Sequence, residues 1–397
     1  TLLVAEDRGG GSVILPGPEF SSLAFQDFSS SVLIGRARRD FGRSFASFVV
    51  TGRDIASGSD GGGHNVVLGP DFLWRPNNSD SVIAQFLVSN SQTPERPDLA
   101  GEWDGRSLES HALHLAWNRN TPTWDWVLQY RDLGDEFRAD AGFVPQVGIR
   151  DSVGELGYSW YPETGILRGF RPFARVRLTE DRDGEVLLRR YQPALEATGF
   201  WNGRATLEYR FDDVRAGGLL FEREQAAWTF QVNPSRRIAL IGLDGVTGEE
   251  VDFTNLRLGR GTSLNYRATI RPTDHLDLRF DGSRQWLDVR RAPTSGGRER
   301  LFTAEVARLR ATYTFTARAF LRLIGQQTEV DRDTTLYGVS VAGREEDFSG
   351  SALFAYKLNW QTVLFLGYGD ERTLDPFGHL EPASREVFLK VSYAFQR

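Results

Sequence analysis

Leu264-Asn-Tyr-Arg-Ala-Thr-Ile-Arg271, Pro272-Thr-Asp274 and His275-Leu-Asp-Leu-Arg-Phe-Asp281 follow one another without a break, and reading them decides the fold. In the first run Leu264, Tyr266, Ala268 and Ile270 alternate with Asn265, Arg267, Thr269 and Arg271. In the last, Leu276, Leu278 and Phe280 alternate with Asp277, Arg279 and Asp281. A period of two puts the apolar side chains on one face of a strand and the charged ones on the other. The Pro-Thr-Asp stretch between them is turn chemistry. The unit is a hairpin with one wet face and one greasy face.

The pattern spreads in both directions. Trp124, Trp126, Leu128 and Tyr130 oppose Asp125, Gln129 and Arg131, while Ala205, Leu207, Tyr209 and Phe211 oppose Thr206, Glu208, Arg210 and Asp212. About twenty such segments run from residues 1–7 to 385–395, and the connections between them are expected to alternate strictly between long and short. Outer-membrane barrels have tight periplasmic turns and longer outer loops. The sequence therefore predicts an all-β protein, a transmembrane antiparallel up-and-down β-barrel of about 20 strands, with residues 1–397 as one domain. The chain is expected to begin and end on the short-turn side, with both termini periplasmic. An upstream export signal and a further N-terminal domain are expected to precede Thr1.

Composition fits this class. Glycine is plentiful (41), proline modest (16), and aromatic residues make up 12% of the chain, although mean hydropathy is only -0.37. An apolar belt ringed by aromatics, around a polar interior, averages to such a value. No run of about 18 apolar residues occurs, which excludes a membrane-spanning helix. Cysteine is absent, removing disulfides, thiolate metal sites and cysteine nucleophiles. The net charge of -6 argues against a nucleic-acid binder.

Several stretches also resemble a known family: Asp40-Phe-Gly-Arg-Ser-Phe45, Gly69-Pro-Asp-Phe-Leu-Trp-Arg-Pro76, Arg96-Pro-Asp-Leu99 with Glu102-Trp-Asp-Gly-Arg106, and Phe137-Arg-Ala-Asp140 with Gly142-Phe-Val-Pro-Gln146. Arg271-Pro-Thr-Asp-His-Leu276, Tyr313-Thr-Phe-Thr-Ala-Arg318 and Tyr356-Lys-Leu-Asn-Trp-Gln361 extend the likeness. Together they resemble the C-terminal domain of unknown function of bacterial proteins that carry an N-terminal family 9 carbohydrate-binding-like domain. The resemblance implies an outer-membrane barrel and names no reaction.

Catalytic and metal chemistry find little support. His111 and His114 are an odd number apart and fall on opposite strand faces. Ser159 and His114 alone do not make a hydrolase triad. Glu180-Asp-Arg-Asp-Gly-Glu185 has loose calcium-loop spacing without a full ligand set. Gly9-Gly-Gly11 and Gly61-Gly-Gly63 lack the Lys-Ser/Thr of a phosphate loop and read as loop tips. Trp103, Trp117, Trp124, Trp126, Trp160, Trp201, Trp228, Trp286 and Trp360 read as interface anchors where they lie near strand ends. No enzyme activity, metal or cofactor is expected.

Function is argued from charge on the polar face. Parity assigns Arg131, Arg175, Arg177, Arg210, Arg267, Arg279, Arg308, Arg310 and Arg322 to the lumen, as pore candidates. Arginines lining a pore favour anionic solutes. Asp125, Glu155, Glu208, Asp212, Asp277 and Asp281 face the same way, so cross-strand ion pairing competes with that reading. In the last strand Val391, Tyr393 and Phe395 share one face and are read as the signal for the barrel assembly machinery, with Gln396 and Arg397 following. The expected function is an outer-membrane channel or transporter barrel for small polar, anionic or sugar-like solutes, embedded in outer-membrane lipid. The alternatives are an occluded membrane anchor or scaffold presenting surface loops or a periplasmic binding domain, and an outer-membrane hydrolase.

Overall fold

A computed structural model of the protein describes residues 1–56, 61–291, 297–375 and 377–394. Its regular structure is almost wholly β, and twenty strands belong to one antiparallel sheet. Strands run to their sequence neighbours, the up-and-down order of a transmembrane β-barrel. The chain divides into two compact units: residues 1–159, 172–193 and 211–222 form the first, and residues 160–171, 194–210 and 223–397 the second.

The first unit contains β1 (Leu2–Asp7), β4 (Ser30–Phe41), β5 (Ser44–Ile55), β6 (Gly63–Trp74), β7 (Asp80–Gln92), β8 (Ser107–Asn120), β9 (Trp124–Leu133) and β10 (Ile149–Tyr158). It also holds a separate two-stranded hairpin, β2 (Gly11–Leu15) with β3 (Ser22–Gln26). Strands β11 (Gly169–Asp181), β12 (Val186–Thr198), β13 (Arg204–Ala216) and β14 (Leu219–Val232) contribute residues to both units. The second unit continues through β15 (Ile238–Asp252), β16 (Arg257–Ile270), β17 (Leu276–Val289), β18 (Glu299–Thr316), β19 (Ala319–Arg332), β20 (Arg344–Lys357), β21 (Thr362–Leu374) and β22 (Leu380–Tyr393).

Each predicted strand has its counterpart in the sheet, and Pro272-Thr-Asp274 is the turn between β16 and β17. Two expectations need correction. Residues 8–28, read as an open connection, contain the β2–β3 hairpin, whose short apolar runs are bracketed by glycine and proline. The strict alternation of connection lengths also fails mid-chain. Residues 182–185, 217–218 and 253–256 should be long connections and are tight, whereas 159–168 should be tight and is long.

Burial follows the two-faced pattern. Directly paired residues in an antiparallel ladder share a face, so Leu128 stands with Gly154 and Val176 on the apolar side of β9, β10 and β11. That side is exposed and rich in large hydrophobics, among them Phe48, Leu68, Phe86 and Leu115, and in the second unit Leu309 and its direct partner Phe280 are exposed likewise. Exposed apolar side chains on one continuous face make sense where acyl chains take the place of water. Trp117 meets Trp126 edge-on at 5.2 Å and Trp124 meets Tyr158 at 4.9 Å, all at the end of β8, β9 and β10 that carries the tight 121–123 turn. On the same face of the second unit, Tyr266 lies across Gly282, where a methyl group would collide with the ring.

Candidate functional site: the two polar faces

In the first unit the polar face is electrostatically closed. Asp151 stands directly opposite Arg131 on β9 and Thr179 on β11. Arg131 Nη2 donates to its Oδ2 at 2.6 Å, Arg177 Nε to its Oδ1 at 2.6 Å and Thr179 Oγ1 to the same oxygen at 2.7 Å. Its side chain is 0% exposed, so a charge removed from water is held by two cations and a hydroxyl. Arg175 donates to Glu155, its direct partner across β10 and β11, at 2.8 Å through Nε. Arg36 is bidentate on Asp71 at 2.7 and 2.9 Å and also donates to Ser47.

At the long-connection end of that face the loops fold over the strands. Arg53 of β5, 6% exposed, donates to Ser30 Oγ at 2.9 Å and to Gln26 of the β2–β3 hairpin, and lies 3.7 Å from Asp7 and 3.9 Å from Asp140. Asn65, directly opposite Arg53 on β6, donates to the Arg138 carbonyl at 2.9 Å and accepts from the Asp140 N–H at 3.0 Å. Two apolar clusters secure this roof. Phe137 and Val147 of the 134–148 connection bury against Val67, while Phe28 and Trp103 pack edge-on at 5.4 Å beside Leu15, Ala24 and Ile55. Trp103, 5% exposed within this loop core, is therefore no interface anchor. A cavity of about 490 Å³ lies beneath, between the hairpin, Arg53, Arg138 and Asp140.

Two loop carboxylates respond oppositely to their surroundings. Asp140 retains 29% exposure, yet the protein crowded around it pushes its carboxyl above the ordinary range against the pull of Arg53 and Arg138. Asp27 is held below that range chiefly by its hydrogen bond from Arg96, which also grips Asp98 and thereby ties the 8–29 and 93–106 connections together.

The second unit differs. Arg267 faces Asp281, which faces Arg308, which faces Gln326, across β16 to β19. One pair further along, Arg279 stands directly opposite Arg310, and beyond that Arg322 stands opposite Thr312. All five arginines thus lie on one face. Arg267 reaches Asp244 at 3.1 Å, and Arg279 shares Asp277 with Arg271 at 2.9 and 3.0 Å. Arg308, Arg310 and Arg322 have no carboxylate within 4 Å among the described residues. Arg308 lines two cavities of about 560 and 470 Å³ that share Gln326.

Of the nine sequence candidates, Arg131 and Arg177 share Asp151, Arg175 pairs with Glu155, Arg210 with Glu208 at 3.0 Å and Arg267 with Asp244, and Arg279 shares Asp277 with Arg271. Val391 and Tyr393 share the apolar face of β22, opposite Leu364 and Thr362, while Phe395 lies outside the described residues. Sequence reasoning missed Arg53, Asn65 and Asp140. The signal available was Phe137 and Val147, large apolar residues in a connection expected to be open.

No family model matches the chain, and no curated protein matches it. Its fold is similar to that of the siderophore receptor PirA from Acinetobacter baumannii, with a TM-score of 0.55 and 9% identity over 93% of this chain and 72% of that one. The siderophore receptor PirA from Pseudomonas aeruginosa matches with a TM-score of 0.52 and 9% identity, over 100% of this chain and 74% of that one. The likeness is one of fold.

Proposed function

We propose that the chain is an outer-membrane transporter barrel, one domain throughout, whose polar face lines the interior and favours small anionic solutes. The observation that carries the anion preference is the set Arg308, Arg310 and Arg322, cations on the polar face with no carboxylate beside them among the described residues. Fixed positive charge along an aqueous path raises the local anion concentration. The fold likeness to siderophore receptors supports an uptake role. In this reading both termini are periplasmic, on the side of the 42–43, 121–123 and 271–275 turns, and Val391 and Tyr393 belong to the assembly signal.

Planar-bilayer reversal potentials test it. Wild type is expected to prefer chloride over potassium, with the preference reduced in Arg308→Ser/Arg310→Ser. Equal permeabilities in both proteins overturn the anion reading. One observation favours a second role, an occluded anchor displaying loops: the 8–29, 93–106 and 134–148 connections pack over the polar face of the first unit. Liposome swelling separates the two, because an occluded barrel admits no small solute.

A further inference from the structure

We infer that Arg279, Arg310 and Arg322 form a seat for one compact oxyanion carrying two or more negative charges. The inference rests on the transporter reading and narrows its solute class from anions in general to phosphate-like or polycarboxylate ions.

The sheet itself places these groups together. Arg279 and Arg310 are direct partners across β17 and β18, and Arg322 of β19 pairs with Thr312, two residues from Arg310. Direct partners have Cβ atoms roughly 5 Å apart and diagonal neighbours roughly 7–8 Å, within reach of long side chains. Three guanidinium groups from three adjacent strands can therefore meet on one ligand. Like charges placed directly opposite are destabilising, and elsewhere the chain avoids this by setting a carboxylate between arginines, as Asp151 stands between Arg131 and Arg177. Around the seat the balance is different. On β16 to β18 Arg267, Arg279, Arg308 and Arg310 face only Asp277 and Asp281, and Asp277 is already shared by Arg271 and Arg279. Asp281, the direct partner of both Arg267 and Arg308, pairs with neither within 4 Å. The nearest neighbours of the seat in the rows are neutral, Thr269, Ile324, Ser351, Leu353 and Gly367, and the next carboxylates along them, Glu371 and Glu386, lie two or more strands beyond β19.

Ligand class follows from this arrangement. A guanidinium presents a planar fork that matches phosphate and carboxylate oxygens two at a time. A single chloride meets such a fork with one centre and one charge, and leaves the opposed pair largely uncompensated. An ion such as pyrophosphate or a tricarboxylate offers several oxygens and several charges in a small volume. It can bridge all three forks.

The test is isothermal titration calorimetry on the purified full-length chain in detergent, with pyrophosphate, a tricarboxylate and chloride as probes. Saturable binding of pyrophosphate or of the tricarboxylate, with none of chloride, is expected, and the better of the two identifies the source of the oxyanion. Arg310→Ser/Arg322→Ser should weaken binding at least about tenfold, the loss of one or more charged hydrogen bonds. The milder Arg322→Gln should weaken it in the same direction, and retained β-type circular dichroism verifies folding in each variant. Arg344→Ser, on the opposite face, should leave it unchanged. Absence of saturable binding by either polyanion, or binding undiminished in folded Arg310→Ser/Arg322→Ser, overturns the seat. Anion-selective conductance without saturable binding removes the seat and keeps the transporter. Binding without conductance does the reverse.

Discussion

Arg131 and Arg310 come from the same kind of strand and occupy the same kind of position, yet one is spent on structure and the other is left available. In the first unit Asp151 stands across from Arg131 and is reached by Arg177 as well, and the loops above are clipped down by Arg53 and Asn65. In the second, Arg310 meets another arginine. The difference does not lie in composition or periodicity. What the neighbouring strand places opposite each charge decides whether it cements the wall or addresses the solute.

That comparison can be broken by substitution. The largest effect is expected for Asp151→Ala, which strands two arginines around a buried site and should cost about 3–5 kcal/mol in denaturant unfolding. Asp281→Ala in the second unit should cost well under 1 kcal/mol by the same measurement, in line with a carboxylate holding no close partner. Equal losses would erase the contrast. Next, Phe137→Ala empties the apolar socket beside Val67 and should weaken local closure by about 3 kcal/mol, read as faster hydrogen exchange across 134–148 with little change in β17 to β19. Asn65→Ala removes two backbone clips from the same connection and should cost about 1–3 kcal/mol, read the same way.

The smallest effect sharpens the picture through pH. Asp140 is raised by its surroundings, so the docked connection favours its acid form. The cost of ionising it in place sets in above the ordinary carboxylate pKa of about 3.9 and is complete above the raised value. Asp27 and Asp98 are lowered by Arg96, so their contribution is full above that ordinary value and disappears as pH falls through the depressed ones. Between pH 7 and about 4.5, exchange corrected for intrinsic rate should slow in 134–148 and stay constant around Arg96. Loosening of 134–148 on mild acidification would contradict the assignment.

Most of the architecture was legible because a period of two is a local property, visible in Leu264 to Phe280 without knowing any partner. The face each arginine occupies follows from the same parity. Which arginine finds an acid does not, because that depends on strand register: Asp151 reaches Arg131 twenty residues back and Arg177 twenty-six ahead. Loop packing was hidden for a similar reason. Asn65 looks like one more polar residue in an alternating strand, and only the return of residues 138–140 onto it turns it into a clasp. The β2–β3 hairpin escaped notice because its strands are short and lie inside a connection expected to be open.

The clasp has an evolutionary corollary. Asn65 grips peptide groups, the carbonyl of Arg138 and the N–H of Asp140, so its hold is indifferent to the identity of the side chains beyond. Phe143, 78% exposed at the tip of that connection, can change while the strap stays fastened. A variable crest is compatible with a fastened root because the clasp itself holds peptide groups and the side chains that secure it, Phe137 and Val147, lie away from the tip.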